Sequence, residues 1–496
     1  MAFNLSTICS DLERFAEALN REEYAARAGL KTESQAAAIR ERFAHLGSRD
    51  TFAEIRSAAS SDSNAEERRR LAYLAEFLGV SAIEYRVRAR LDRLASAEAD
   101  QAIVADGERL PLRSAEVRIK NEGDRARRAV FERARCAAVA ELNGLRREIL
   151  EISHEEAQRL GFADYITCCT ALSGIDLRAL CDLVQPLLAH TRDAYQESLD
   201  WHLSRWAGTD PGRAHRHDLM RVFRAPVLDG SLPPDRLREA AEAPVRRMGI
   251  DPLAGGRIRV DDAPRPHKVC RAFVAAARIP DEVILVVRPG GGPDDYAAYL
   301  HEMGHALHFA HVDGSLPVEY RRLGDSSVTE AYAFLLDGLL RERQWLRRFV
   351  GLSQPRDVLR FTALHKLWYL RRYAAKLEYE LLLHGGASLR TAADTYRDLL
   401  TAATLVEWPR ELYLADVDPF FYAARYLRAW IFEAQLRDLL RERFDEEWYR
   451  NDRTGPFLRD LWRQGQRLTL EGLSEQLGSG PPTIEPLLKP ILEDLG

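Results

Sequence analysis

The sequence predicts a mainly α-helical protein in two lobes, with one small antiparallel sheet beside a central helix. Two observations carry this. Over most of the 496 residues, apolar side chains recur three and four apart between charged ones. A single cluster of short β-branched or alternating runs breaks that period between residues 256 and 288. A chain this long exceeds one ordinary globular core, so a large helical body built as two lobes around a cleft is expected.

Taken in order, residues 1–200 form an N-terminal helical region, as in RRRLAYLAEFLGVSAIEYRVRARLDRL. The polar stretch SAASSDSNAEE, residues 57–67, interrupts it as a loop ending in helix-starting acids. AGTDPGRAHRH (207–217) and LDGSLPPD (228–235) carry the Gly, Pro and Asp clusters of surface loops. They open a second region, 201–496, which holds the chemistry. GRIRVDD, CRAFVAAARI and EVILVV read as strands, the last two joined by the turn-prone pair Pro280-Asp281. After the loop Gly290 to Gly292, Pro293-Asp294-Asp295 marks a helix start, and the helix runs to about 311. From residue 325 the chain is helical almost to its end and forms a C-terminal helical lobe.

Charge and cysteine content narrow the function classes. A formal net charge of -5 and a pI near 6.3 leave no basic footprint for nucleic acid and no polybasic membrane anchor. The six cysteines include no CxxC pair, which suggests reduced thiols in a cytoplasmic protein. No basic leader segment opens the chain, and no window approaches the ~18 continuous apolar residues of a membrane span.

The central helix contains HEMGHALH, residues 301–308. On a helix, His301 and His305 stand on one face with Cβ atoms about 5–6 Å apart, so each can place a ring nitrogen about 2 Å from one Zn²⁺. Glu302 points about 100° round the helix, where it reaches a water rather than the metal: two ligands and a general base. The alternative, a pair of core histidines, leaves Glu302 as an unexplained charge among apolar neighbours. His308 lies about 10 Å along the axis from His301 and cannot share the ion; it is a supporting or core histidine. His311 falls at the helix end and is given no role.

Catalytic zinc takes three protein ligands plus water. A third histidine after a glycine turn is excluded, because position 311 follows Phe309-Ala310 with no such turn. Glu330 is the candidate, at the start of the helix SSVTEAYAFLLDGLL, which Ser326, Ser327 or Thr329 can cap. By spacing alone, a ligand and an ordinary first-turn acid favoured by the helix dipole stand level. Asp337, two turns on, can fix a ligand histidine in one tautomer, although a solvated acid is the simpler reading.

These residues resemble the thimet oligopeptidase and oligoendopeptidase F family of zinc metallopeptidases, whose motif is HE-x-GH-x-x-H with a distal Glu. HKVCRAFVAAARIPDEVILVV is similar to the family's lysine-containing β segment, and EEAQRLGFADYITCCTALSG to its LGF-x-x-Y segment. The resemblance spans roughly residues 140–440 and is strongest over 265–340. It implies a mainly helical body around a deep channel that admits short peptides, one Zn²⁺, and Glu330 as third ligand. Near its end the family carries a His and several tyrosines that bind substrate and stabilise the oxyanion. In YLADVDPFFYAARYLRAW, Tyr422 and Tyr426 match that pattern, or else simply pack four apart on a helix. Asp416 stands where the His is expected, and Ala424 replaces one Tyr.

The expected reaction is hydrolysis of short peptides, with Glu302 as base and Tyr422 or Tyr426 donating to the oxyanion. The strand Arg271–Ile279 is expected to take the peptide backbone as an added strand. The alternatives are a peptidase specialised for one peptide, or a helical peptide-binding scaffold with a structural zinc. A purely structural site needs no base, so Glu302 argues against the last.

Overall fold

The computed structural model describes residues 4–496 and is predominantly helical, as expected. Among the described residues, no helix is long and apolar enough to cross a membrane, and all six cysteines are unpaired. The helices that position the functional residues are α1 (Leu5–Arg27), α2 (Ala65–Asp100), α3 (Leu112–Asn121), α4 (Arg125–Glu141), α5 (Asn143–Arg159), α6 (Tyr165–Ser173), α7 (Pro293–His311), α8 (Ser326–Asp337), α9 (Arg356–His384) and α10 (Tyr422–Phe444). The strands are β1 (Ala102–Ala105), β2 (Glu108–Pro111), β3 (Ile258–Asp261), β4 (Phe273–Arg278) and β5 (Glu282–Val286).

The chain divides into two compact units, each assembled from separated stretches. Unit one comprises Met1–Ser81, Leu228–Leu359 and Arg428–Leu487; unit two comprises Ala82–Val227, Arg360–Leu427 and Leu488–Gly496. The boundaries fall within the long helices α2, α9 and α10, at the loop near 228, and close to the C-terminus.

In unit one the sheet has the order β3-β5-β4 and is mixed rather than wholly antiparallel. β4 pairs antiparallel with β5 (Phe273 opposite Val286), and β3 pairs parallel with β5 (Ile258 opposite Val283). The parallel pairing is possible because residues 262–272 cross from one edge of the sheet to the other. Buried Lys268 staples that crossing, donating to the carbonyls of Asp261 (2.7 Å) and Ala263 (3.0 Å) and to the Asp261 carboxylate (3.1 Å). Asp261 also accepts from Arg265 and from the Tyr24 hydroxyl of α1. Burial opposes its charge, but these donors outweigh it and hold the carboxyl down at about 2. Tyr24, Ala28, Phe273, Ala275, Ile284 and Val286 bury together between α1 and the sheet.

Two local expectations are corrected. The loop expected at 57–67 shrinks to 62–64: Ser60 and Ser61 stay helical, and their hydroxyls bond back to the carbonyls of Arg56 and Ser57. In unit two, β1 and β2 form a second small sheet around Asp106-Gly107, whose positive φ angles of 50° and 75° suit a tight hairpin turn.

The α7–α8 contact sets the site. Gly304, inside HEMGH, faces the α8 backbone so closely that a Cβ there would lie 2.6 Å from Ala333 Cα and 2.8 Å from the Tyr332 carbonyl oxygen. Neither neighbour is a flexible side-chain tip, so any larger residue must push the helices apart. Gly304→Ala is therefore expected to destabilise unit one by about 1–3 kcal/mol, read as a lower urea midpoint. It should also weaken metal retention, read by chelator competition. An unchanged midpoint and affinity would show that the helices yield freely.

Candidate metal centre

α7 starts from Gly292, Pro293 and the acids Asp294 and Asp295, an arrangement suited to a helix N-terminus. Two turns in, His301 and His305 turn their rings towards α8. Their Nε2 atoms lie 3.2 Å apart, and Glu330 Oε2 lies 3.3 Å from His301 Nε2 and 3.6 Å from His305 Nε2. Atoms bonded tetrahedrally at about 2.0–2.1 Å to a common centre are about 3.3 Å apart. The three ligand atoms thus have the mutual spacing of one face of a zinc tetrahedron. Among the described residues, this is the one group of His, Cys, Asp and Glu side chains gathered closely enough to hold a metal ion.

The other ring nitrogens are already engaged. His301 Nδ1 donates to Asp337 Oδ2 at 3.2 Å, and His305 Nδ1 meets Thr329 Oγ1 at 2.8 Å. With Nδ1 of each ring engaged in this way, Nε2 of each ring faces Glu330. The spacing-based preference for Asp337 as a solvated acid is thereby corrected. Thr329, read as a possible cap, is instead a partner of His305. The cap is Asp325, whose carboxylate accepts from Ser327 N at 3.0 Å.

The electrostatics call for a cation. Burial opposes the charge of Glu330, which is 5 % exposed, yet the two imidazoles hold its carboxyl well below the usual carboxylate range. Burial also disfavours charge on His301, but Asp337 and Glu330 outweigh it and lift the ring to about 10. Two imidazoles and one carboxylate with a fourth side left open are the donor set of catalytic zinc sites, and the residues fit that ion.

Glu302 is half-buried, next to His301 on the adjoining face of α7, and among the described residues no hydrogen bond or ion pair engages it. His308 is fully buried, edge-on to Tyr332 at 5.0 Å, and burial lowers its pKa to about 3, so it is a neutral core residue. His311 ends α7, its Nδ1 2.8 Å from the Leu307 carbonyl.

Tyr422 and Tyr426 belong to unit two. They are half-buried in the first turns of α10, rings 5.1 Å apart and T-shaped, with Tyr373 of α9 at 5.6 Å from Tyr426. Just before them, Phe420 and Phe421 take the left-handed φ angles of 55° and 53°, and Phe420 N donates to the Tyr165 hydroxyl at 3.1 Å. Asp416 is bound into a charge network. Arg372, Lys376 and Glu380, four apart along α9, ion-pair with Asp416 (Arg372), ion-pair with Asp418 at 2.8 Å (Lys376) and accept from Asp418 N at 2.7 Å (Glu380). The Tyr396 hydroxyl donates to Asp416 at 2.7 Å.

No protein-family model matches the chain, and no curated protein matches it in sequence. Among solved structures it is similar to the "putative oligoendopeptidase F" of Bacillus anthracis str. Ames, with a TM-score of 0.65 and 14 % identity over 97 % of this chain and 89 % of that one. It is likewise similar to the M32 carboxypeptidase of Deinococcus radiodurans R1, with a TM-score of 0.68 and 15 % identity over 99 % and 98 %. The chain has their fold. At these identities the likeness is one of fold, spanning nearly the whole of each molecule, and the chemistry rests on the residues above.

Asp337→Asn keeps the shape of the side chain and removes the charge that orients His301. It is expected to lower zinc affinity by about 10–100-fold, measured by competition with a chromogenic chelator. An affinity equal to wild type would reduce Asp337 to a bystander.

Proposed function

We propose that the protein is a zinc-dependent peptidase that hydrolyses short peptides. The observation that carries this reading is the convergence of His301, His305 and Glu330 at tetrahedral spacing, with a carboxylate, Glu302, beside them and uncommitted. The shared fold supports it, since both neighbours carry peptidase names.

Zinc bound there supplies a Lewis acid and lowers the pKa of water from 15.7 to about 7. Glu302 accepts the proton of the attacking water and returns it to the leaving amine, so one carboxylate serves as base and then as acid. Asp337 and Thr329 fix the ligand rings, so no reorganisation of His301 or His305 is needed during turnover.

β4 forms one edge of its sheet and can take peptide backbone as an added strand. Arg322 already donates to the carbonyls of Ala276 (3.1 Å) and Ala277 (2.6 Å). Backbone pairing is thus confined to the first residues of β4, which suits a short substrate.

Glu302→Gln should retain one equivalent of zinc by elemental analysis and lose about 10²–10⁴-fold in kcat/KM; an unimpaired variant sinks the mechanism. A quenched-fluorescence peptide library, digested with and without chelator, tests the substrate class. Chelator-sensitive cleavage limited to short members is expected, and the fragments separate internal from C-terminal cutting. Cleavage that persists after zinc is stripped to background would refute the metal-dependent reading.

A further inference from the structure

We propose, on the reading of His301, His305 and Glu330 as zinc ligands, that Arg428 is a positioning residue for that centre. Its guanidinium holds the start of α8 in the place from which Thr329 and Glu330 reach the two histidines. All of these residues belong to unit one.

The side chain of Arg428, on α10, is only 10 % exposed. Its Nη1 donates to Asp325 Oδ2 at 2.8 Å and to Ser327 Oγ at 2.9 Å, and its Nη2 donates to both carboxylate oxygens of Glu471 at 2.7 Å. Buried Asp325 is the cap of α8, and its Oδ2 also accepts from the amide of Leu470, the first residue of α11 (Leu470–Leu477), at 3.3 Å. One planar cation thus ties the N-termini of α8 and α11 together, using a fork of donors that an ammonium group lacks. Burial opposes the charge of Arg428, but Asp325 and Glu471 outweigh it and raise its pKa.

The place of this clamp along α8 is what bears on the metal. Gly304 meets α8 at Tyr332 and Ala333, on the C-terminal side of Glu330, and Arg428 meets it at Asp325 and Ser327, on the N-terminal side. Thr329 and Glu330 stand between the two contacts. The first four amides of a helix have no partner within it, so the end of α8 depends on its cap to resist fraying. Fraying there moves both residues at once: Thr329 leaves His305 Nδ1, and Glu330 Oε2 leaves its 3.3–3.6 Å spacing to the two Nε2 atoms. Without Arg428 the buried Asp325 carboxylate loses this cation. A buried charge stripped of its partner is driven towards water, and the cap goes with it.

Two readouts on the full chain, taken without any peptide, test this: zinc affinity by chelator competition, and the visible spectrum of the cobalt-loaded protein, which reports the geometry of the ligand shell. Arg428→Gln is expected to weaken zinc binding about tenfold and to shift the cobalt bands. Arg428→Lys, which keeps the charge and loses the fork, should recover part of that loss. Glu471→Gln removes the outer anchor at a position 56 % exposed, so it should fold as wild type and shift the same bands to a smaller extent; it decides the matter if Arg428→Gln does not fold. A salt bridge with a purely structural role lowers the urea midpoint of these variants and leaves the affinity and cobalt spectrum of the folded protein unchanged, and that result overturns the proposal. Wild-type protein that binds neither ion overturns the metal centre itself, whereas intact metal binding without cleavage counts against the peptidase reading alone.

Discussion

A metal held by two helices requires that they approach until short side chains from both meet at one point, and here that approach depends on the absence of a single Cβ. Helices ordinarily pack with axes about 8–10 Å apart. Gly304 brings α7 against Ala333 and the Tyr332 carbonyl of α8 with no room for a side chain. Only at that approach does Glu330, with its short reach, come within 3.3–3.6 Å of both Nε2 atoms. Another side of α7 meets the sheet, where Phe309 packs against the cluster of Ala276, Ile279 and Val312.

The α7 half of the site was legible because its chemistry is local. His301, Glu302 and His305 lie within five residues, and helical periodicity alone sets their relative directions. Glu330 was half legible: its position on α8 followed from the chain, but its role needed the family likeness. Asp337 was legible as a possible partner of a ligand histidine but not as the better reading, and Thr329 was legible only as a cap. Which face of α8 meets α7 is decided by the Gly304 contact, and no periodicity on α8 itself encodes that rotation. The β1–β2 hairpin was legible in principle, since Asp106-Gly107 between apolar runs is a turn signal, but the surrounding helical pattern overshadowed it. The crossing of residues 262–272, and with it the parallel pairing of β3, depends on the buried ion pair of Lys268 and Asp261, which are seven apart and unmarked by any pattern.

Unit two shows a different use of charge. Arg372, Lys376 and Glu380 form one row on α9, spaced four apart, and hold the segment before α10 through Asp416 and Asp418. Burial pushes the Glu380 carboxyl up to about 8, and its Oε1 accepts from the Asp418 amide at 2.7 Å. Removing one member would leave its partner as an uncompensated buried charge, which typically costs about 3–5 kcal/mol. This is why the Asp at 416 cannot be read as a simple loss of a histidine: it is a structural anion, and the row on α9 matches it.

The candidate metal centre sets two carboxylates, Glu330 and Asp337, against the His301 ring, and Glu302 is not among its partners. The two histidines are supported unequally, His301 by a carboxylate and His305 by the Thr329 hydroxyl. The neutral hydroxyl fixes the ring of His305 and adds no charge. The asymmetry of the supports therefore puts a charged partner behind His301 alone.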